Sequence, residues 1–87
     1  MIFVKILSLG TAERYVIRRL IAAAHQDLLE LFPGMQINIR EVNDCREIGR
    51  LARFMVLPTL VINEKIVCSG RFPTRQEVSG WLQEANT

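Results

Sequence analysis

The opening segment of the chain, Met1 to Leu9, constrains the fold more than any other part of the sequence. Its residues are nearly all apolar, so both alternating faces of an extended chain would be apolar, with Lys5 as the exception. Such a run is typical of a β-strand buried on both sides in the interior of a sheet. We therefore predict that the first element is an interior strand.

A long helix and a second strand are predicted next. Gly10 and Thr11 end the apolar run, and Thr11 is a suitable N-cap for a helix. Apolar residues then recur at three- and four-residue steps as far as Leu31, which predicts a long amphipathic helix. The Pro33-Gly34 pair ends it. From Met35 to Arg40 apolar and polar residues alternate, the pattern of an edge strand with one face in water.

Two further helices are indicated by capping signals. Asp44 and Glu47 have the spacing of a capping box, which predicts a short helix reaching about Arg53. Thr74 and Glu77 have the same spacing, and apolar residues at helical steps follow them, which predicts a closing helix.

A hairpin is predicted between these helices. The β-rich runs Thr59 to Ile62 and Lys65 to Cys68 are separated by two residues, a gap that suits a tight turn. The element order is therefore βαβαββα. A strand-helix-strand unit makes a right-handed parallel pair, and the hairpin adds antiparallel strands beside it. The prediction is an α/β fold with a four-stranded mixed sheet flanked by helices, in one domain over residues 1–87.

Composition and charge exclude several classes of protein. The chain has 87 residues, of which 49% are hydrophobic and 23% charged, the range of a folded domain and not of a disordered chain. No apolar segment is long enough to cross a bilayer and no secretion signal is recognisable, so we expect a cytoplasmic protein without a membrane partner. A net charge of +2 is too small to indicate a nucleic-acid partner. Arg46, Arg50 and Arg53 share helical spacing, and a solvated helix face is the preferred interpretation over an anion site.

Two motifs resemble the thioredoxin family. Val42-Asn43-Asp44-Cys45 precedes the short helix, and Val56-Leu57-Pro58-Thr59 leads into the third strand. With Ser69-Gly70-Arg71 before the last helix, the chain is most similar to small archaeal and bacterial thioredoxin-like proteins of the redox-active disulfide type. The resemblance implies the thioredoxin-like fold with strand order 2-1-3-4. It also implies a cis peptide bond before Pro58 that faces the active site.

The chain departs from that family where the chemistry would be. The related proteins carry Gly-Thr-Gly-Cys-x-x-Cys after the first strand, whereas this chain has Glu13 and Val16 at the two cysteine positions. Disulfide exchange needs a thiolate, which neither side chain supplies. A carboxylate in the first helical turn is favoured by the helix dipole, so Glu13 is interpreted as structural rather than as a general acid or base.

The two cysteines do not replace the dithiol. In the implied strand order, Cys45 follows one edge strand and Cys68 lies in the other, about 14 Å away at three inter-strand spacings. A disulfide needs Cα atoms within about 7 Å, so no bond is expected. Cys45, at the first position of a helix, is a weak candidate for a reactive thiol, and Cys68 is expected in the core beside Ile66. With His25 as the only histidine, no metal or cofactor is expected.

Three functions remain open. The leading hypothesis is a redox-inactive binding or adaptor domain that takes a protein or peptide segment in the cis-proline groove, with an acidic segment favoured by Arg14 and Arg71. The second is an atypical thiol-disulfide oxidoreductase, or a redox-regulated protein, that acts through Cys45. The third is a KaiB-type scaffold protein, whose C-terminal pattern differs. The residues expected in the groove are Thr11, Glu13, Arg14, Val16, Val56, Leu57, Pro58, Thr59, Gly70 and Arg71.

Overall fold

A computed structural model describes residues 1–51 and 56–86 of the chain. The elements follow the predicted βαβαββα order. They are β1 (Ile2–Leu7), α1 (Thr11–Leu28), β2 (Ile37–Val42), α2 (Cys45–Leu51), β3 (Thr59–Ile62), β4 (Lys65–Ser69) and α3 (Arg75–Ala85). None of the helices within the described residues is long and apolar enough to span a membrane.

The four strands form one mixed sheet in the order β2-β1-β3-β4, which confirms the expected arrangement. β1 runs parallel to β2, with Leu7 beside Val42, and antiparallel to β3, with Leu7 opposite Thr59. β3 and β4 form an antiparallel hairpin. As predicted, β1 is interior and β2 lies at an edge.

The main core lies between one face of the sheet and the helices α1 and α3. Alternate residues of β1 point into it, and the apolar stripe of α1 packs on them, because a strand repeats every two residues and a helix every 3.6. The best-buried members of this core include Ile2, Val4, Ile6, Ile17, Ile21, Leu60, Val78 and Leu82. The two helices contact each other, as their apolar stripes indicate.

The opposite face of the sheet is covered only at one end. There α2 contributes Ile48, which packs with Leu7, Val42 and Val61, and Leu57 lies against this second cluster. Further along β1 on the same face, Phe3 is 56% exposed. The prediction that β1 is buried on both sides along its length is therefore wrong, because the described part of α2 spans too little of the sheet to reach Phe3.

The ends of α1 differ from those predicted. Gly10, not Thr11, is the N-cap residue, and no side chain of the described residues caps the helix. Thr11 is instead the first helical residue. The helix ends at Leu28 rather than at Leu31, and a turn follows in which the N–H of Phe32 donates to the carbonyl of Leu28 (2.7 Å).

The start of α2 is capped as expected by Asp44, whose Oδ1 accepts from the N–H of Arg46 (2.9 Å). Glu47 forms an ion pair with Arg40 of β2, a contact that ties the short helix to the sheet. Arg53, which was expected to end this helix and to complete the arginine stripe, lies outside the described residues.

The β3–β4 hairpin contains a bulge that the sequence did not indicate. Leu60 is opposite Cys68, but Val61 is opposite Ile66, so Val67 is an extra residue in β4. An extra residue reverses the alternation beyond it. Cys68 is buried, as expected, whereas Ile66 points to the other face and is 48% exposed. The prediction that Cys68 and Ile66 lie on one face of the strand is therefore wrong, because the extra residue separates them onto opposite faces.

We predict that Thr74→Ala lowers the free energy of unfolding by about 1 kcal/mol, the usual cost of losing an N-cap oxygen. Thr74 Oγ1 accepts from the N–H of Glu77 (3.1 Å), and the Glu77 carboxylate accepts from the N–H of Thr74 (3.0 Å), which completes the capping box of α3. Thr74→Ser keeps the oxygen and is the control. Urea unfolding of the two variants provides the measurement, and equal stabilities would contradict the capping role.

Candidate functional site

Three loops meet at one edge of the sheet. Leu7 near the end of β1 lies beside Val42 and opposite Thr59, and Thr59 lies opposite Ser69 at the end of β4. The segments that follow β1, precede β3 and follow β4 therefore come to the same edge. The structure thus brings together the three sequence-predicted site segments, residues 11–16, 56–59 and 70–71. The start of α2, after β2, lies at this edge as well.

The turn between β1 and α1 is held by Ser8 and Glu13. The buried Ser8 hydroxyl donates to Glu13 Oε1 (2.7 Å) and accepts from the N–H of Gly10 (3.1 Å). A Cβ on Gly10 would lie 2.8 Å from Glu13 Oε1, so a glycine at this position leaves room for the carboxylate. This hydrogen bond supports the structural interpretation of Glu13. Ser8 was missed in the sequence, because one serine within an apolar strand carries no motif.

Arg14, which the sequence analysis placed in the groove, has partners within the chain. Its side chain is buried, and its guanidinium donates to the Ser8 carbonyl (2.7 Å) and to Thr11 Oγ1 (3.2 Å). Glu41 of β2 pairs with it at 3.6 Å and with Arg18 at 3.0 Å. Arg14 has an internal partner in Glu41, so this contact gives no support to the expectation that Arg14 favours an acidic ligand, which stays a prediction.

The loop before β3 is fixed to the end of β4. The Leu57–Pro58 peptide bond is cis. The carbonyl of Val56 accepts from Ser69 Oγ (2.9 Å) and from Thr59 Oγ1 (3.0 Å). Ser69, which the sequence reasoning did not select, is thus part of the support of this loop.

Gly70 makes the approach of the two loops possible. Its N–H donates to the carbonyl of Pro58 (2.9 Å), and its φ of +78° lies in the left-handed region that favours glycine. A Cβ at this position would also meet Val56 Cβ at 3.2 Å. Any other residue would therefore be strained in this backbone conformation and would require the Val56 side chain to shift by a few tenths of an ångström.

Leu57 presents its backbone at this edge. Its side chain is half-buried against the second cluster, which anchors the residue. Among the residues that the structure describes, none hydrogen-bonds to its N–H or C=O. A backbone donor and acceptor in a fixed position are what an extended chain needs in order to pair as an added strand.

Exposed apolar side chains occur on the segments around Leu57. Val56 is 67% exposed, and Val16 on the first turns of α1 is 42% exposed. Further exposed apolar residues on these segments are Leu9, Tyr15 and Phe72. Scattered apolar residues are normal on a surface, but several on loops that share one edge are typical of a binding site. Apart from Val16 and Val56, the sequence reasoning missed them.

Arg71 is paired within the chain. Its guanidinium donates to both Glu77 oxygens (2.8 and 2.7 Å) and to the carbonyl of Phe72 (3.3 Å). The hydrogen bonds from Arg71, followed by that from the N–H of Thr74, lower the pKa of Glu77 from its ordinary 4.5 to about 2. Arg71 lies at the expected edge, but its charge is shared with Glu77.

The two cysteines are both free thiols. Cys45 is exposed at the first residue of α2, near the site edge. Cys68 is buried, and its Sγ donates to the carbonyl of Arg71 (3.4 Å). Burial raises the pKa of Cys68, which favours the unreactive thiol form.

A family model described as a thioredoxin domain matches residues 4–83. The chain belongs to the thioredoxin-domain family. No curated protein and no solved structure gives a significant match. The match covers both the turn with Glu13 and Val16 and the cis-proline loop. This thioredoxin domain has Glu13 and Val16 at the two positions where the resemblance implies cysteines.

We predict that Glu77 makes stability depend on pH in acid. Its folded-state pKa is below the unfolded value, so its contribution is present above about pH 4.5 and is lost as the pH falls toward 2. The free energy of unfolding of the wild type should fall more steeply in this window than that of Glu77→Gln, as measured by urea unfolding. Arg71→Gln removes the main cause of the shift and should flatten the same slope. Parallel profiles for all three proteins would contradict this assignment.

We predict that Glu13→Cys with Val16→Cys forms a reducible disulfide in a folded domain. Both positions lie in the first two turns of α1, three residues apart on one face, where side chains are neighbours. Loss of the Ser8–Glu13 hydrogen bond should cost about 1 kcal/mol. The bond is measured by thiol titration before and after reduction, in a Cys45→Ser background.

Glu13→Cys with Arg19→Cys is the control for that pair. Six residues of helix separate these positions by about 9 Å along the axis, beyond the reach of a disulfide. A bond in the control but not in the first pair would show that the site turn is placed wrongly.

Proposed function

We propose that this thioredoxin domain is a binding or adaptor module that takes an extended protein segment at the edge formed by residues 11–16, 56–59 and 70–71. The observation that carries the proposal is the backbone of Leu57, fixed in position and without a hydrogen-bond partner among the described residues. An added strand would pair with this backbone, and main-chain hydrogen bonds would supply affinity for it.

Rigidity of the loop supports this proposal. Val56 and Pro58, on either side of Leu57, each use their carbonyl in hydrogen bonds to the end of β4. A partner segment would therefore meet a preformed edge and would not have to order the loop first, which lowers the cost of binding.

Apolar contacts, rather than charge, would select the ligand. The exposed side chains of Val16, Val56 and Phe72 are available to alternate residues of an extended segment. The expected preference for an acidic segment loses its support, because Arg14 pairs with Glu41 and Arg71 with Glu77. We propose instead a segment with apolar residues in alternate positions. Two unpaired thiols are compatible with the reducing cytoplasm that we propose as its location.

A library of random peptides displayed on phage provides the first test, followed by NMR titration of the uniformly ¹⁵N-labelled domain with a selected peptide. We expect the largest amide shifts in residues 11–16, 56–59 and 70–71. Val56→Asp should weaken binding about tenfold or more, because a charge replaces an apolar contact. Leu31→Asp is the matched control, since Leu31 is 69% exposed in the turn after α1. Shifts confined to another face, or equal affinities of the two variants, would contradict the proposed site.

The second candidate function, thiol chemistry at Cys45, is favoured by one observation, the exposure of this thiol near the same edge. Reduction of insulin disulfides by the wild type, and its loss in Cys45→Ser, would establish this function in place of simple binding. On the binding proposal we expect no turnover by either protein. The family match does not bear on the scaffold alternative.

A further inference from the structure

The sheet face opposite α1 and α3 has a half that the described helices leave uncovered. We call the residues Met1, Phe3, Lys5, Glu64 and Ile66 the open half-face. Met1 is 68%, Phe3 56% and Ile66 48% exposed. Val61, which lies between Lys5 and Ile66 in the sheet, is a buried apolar residue at the border of this region. The region lies away from the edge proposed above for peptide binding.

The residues of the open half-face form one continuous surface. One depression, of about 520 Å³, is lined by Met1, Phe3, Lys5, Asn63 and Glu64. A second, of about 170 Å³, is lined by Lys5, Val61, Glu64 and Ile66. Because both share Lys5 and Glu64, the apolar residues on either side belong to a single patch with these two charges at its centre.

This patch is held in a fixed shape. The N–H of Phe3 donates to Asn63 Oδ1 (2.9 Å), and the N–H of Asn63 donates to the carbonyl of Phe3 (2.8 Å). These bonds fasten the tip of the hairpin, which carries Glu64, to the beginning of β1. A partner would therefore meet a preformed surface with little to order on binding.

The charges of the open half-face are equal and opposite. Neither Lys5 nor Glu64 forms an ion pair within the described part of the chain. The nearby Arg40 is already paired with Glu47. Lys65 lies opposite Ile62 in the hairpin and so belongs to the other face of the sheet. The open half-face thus carries one cation and one anion and is complementary to itself.

We propose that the open half-face binds a second copy of this chain in a two-fold symmetric dimer. A two-fold axis in the interface, perpendicular to the line between Lys5 and Glu64, sets Lys5 of each copy against Glu64 of the other. In such an interface every contact occurs twice, as an isologous dimer requires. The exposed Phe3 and Ile66 side chains fill the space between two sheets, which in proteins pack about 10 Å apart through apolar side chains.

A second copy fits this surface better than a foreign partner of one charge. A strongly acidic surface would leave Glu64 opposed by like charge, and a basic surface would do the same to Lys5, which disfavours both. Apolar side chains lie on either side of the two charges, so a second copy would bury apolar surface together with both ion pairs.

Sedimentation equilibrium over a range of protein concentrations tests the dimer. The wild type should show a monomer–dimer equilibrium, and Phe3→Glu and Ile66→Glu should each raise the dissociation constant at least about tenfold. Both positions are about half exposed, so the variants should fold, which circular dichroism checks. Leu31→Glu, an exposed apolar residue in the turn after α1, is the control and should dimerise like the wild type.

A charge exchange tests the two-fold arrangement itself. In a homodimer, Lys5→Glu alone sets two carboxylates against each other at both contacts, and Glu64→Lys alone does the same with two ammonium groups. Each single variant should therefore dimerise about a hundredfold more weakly. In an equimolar mixture of the two variants, a dimer of unlike chains sets a carboxylate of one chain against an ammonium group of the other at both contacts, so the mixture should recover most of the affinity that each variant loses alone.

The double variant Lys5→Glu with Glu64→Lys completes the charge exchange. It restores a cation opposite an anion at both contacts of a homodimer, and it should recover most of the affinity that each single variant loses. Circular dichroism and urea unfolding of the single and double variants check that all three are folded. If the dimerisation affinity recovers in the double variant while the free energy of unfolding does not change in parallel, the effect comes from contacts between the two copies. It does not then come from the stability of the single chain.

Three results would overturn the proposal. The wild type could remain monomeric at all concentrations, which would leave the open half-face to a different protein. It could dimerise with unchanged affinity in Phe3→Glu and Ile66→Glu, which would place the interface elsewhere. The double variant could dimerise no more strongly than either single variant, which would exclude the two-fold pairing of these charges.

Discussion

The pairing of β1 on both sides is the constraint on which the rest of the structure depends. β1 is parallel to β2 and antiparallel to β3, and at its end Leu7 meets both Val42 and Thr59. Since β4 pairs with β3, the ends of four strands are aligned at one edge. The turn into α1, the cis-proline loop and the residues after β4 meet there for this reason, although they are far apart in the chain.

The turn between β1 and α1, where the resemblance implies a dithiol, is held by contacts within the chain. Glu13 takes a hydrogen bond from the buried Ser8, and Arg14 turns inward to the Ser8 carbonyl and to Glu41. A buried arginine is tolerated only when its donors are satisfied, and the partners on neighbouring elements do this here. The region that would hold a reactive disulfide is therefore a structural junction between β1, α1 and β2. In the cis-proline loop beside it, the backbone of Leu57 has no hydrogen-bond partner among the described residues.

The two faces of the sheet differ in how far helices cover them. One is sealed by α1 and α3 around the main core, and Asp27 of α1 is joined to Arg75 of α3 by two hydrogen bonds (2.8 and 2.7 Å). On the other face, α2 protects Leu7 and Val42 but leaves Phe3 exposed. A small domain buries a limited share of its surface, so part of a sheet face can remain for association. The edge proposed for peptide binding and the open half-face are thus separate consequences of one four-stranded sheet.

The sequence by itself determined the order of the elements, the central place of β1, the capping box of α3 and the segments that form the site edge. These features can be predicted from residues close together in the chain, through periodicity, turn residues and helix caps. The strand order came from the resemblance to a family. Only the tertiary structure decided that the Arg14 side chain is buried and that Arg71 pairs with Glu77. It also decided the hydrogen bond from Ser69 to the Val56 carbonyl and the bulge at Val67. It also decided that Phe3 is exposed, against the expectation of a strand buried on both sides. Each of these depends on a partner distant in sequence or on how far a helix extends over the sheet. Local patterns carry no information on either, because a side chain has the same sequence signature whether its charge meets water, a ligand or a carboxylate of its own chain.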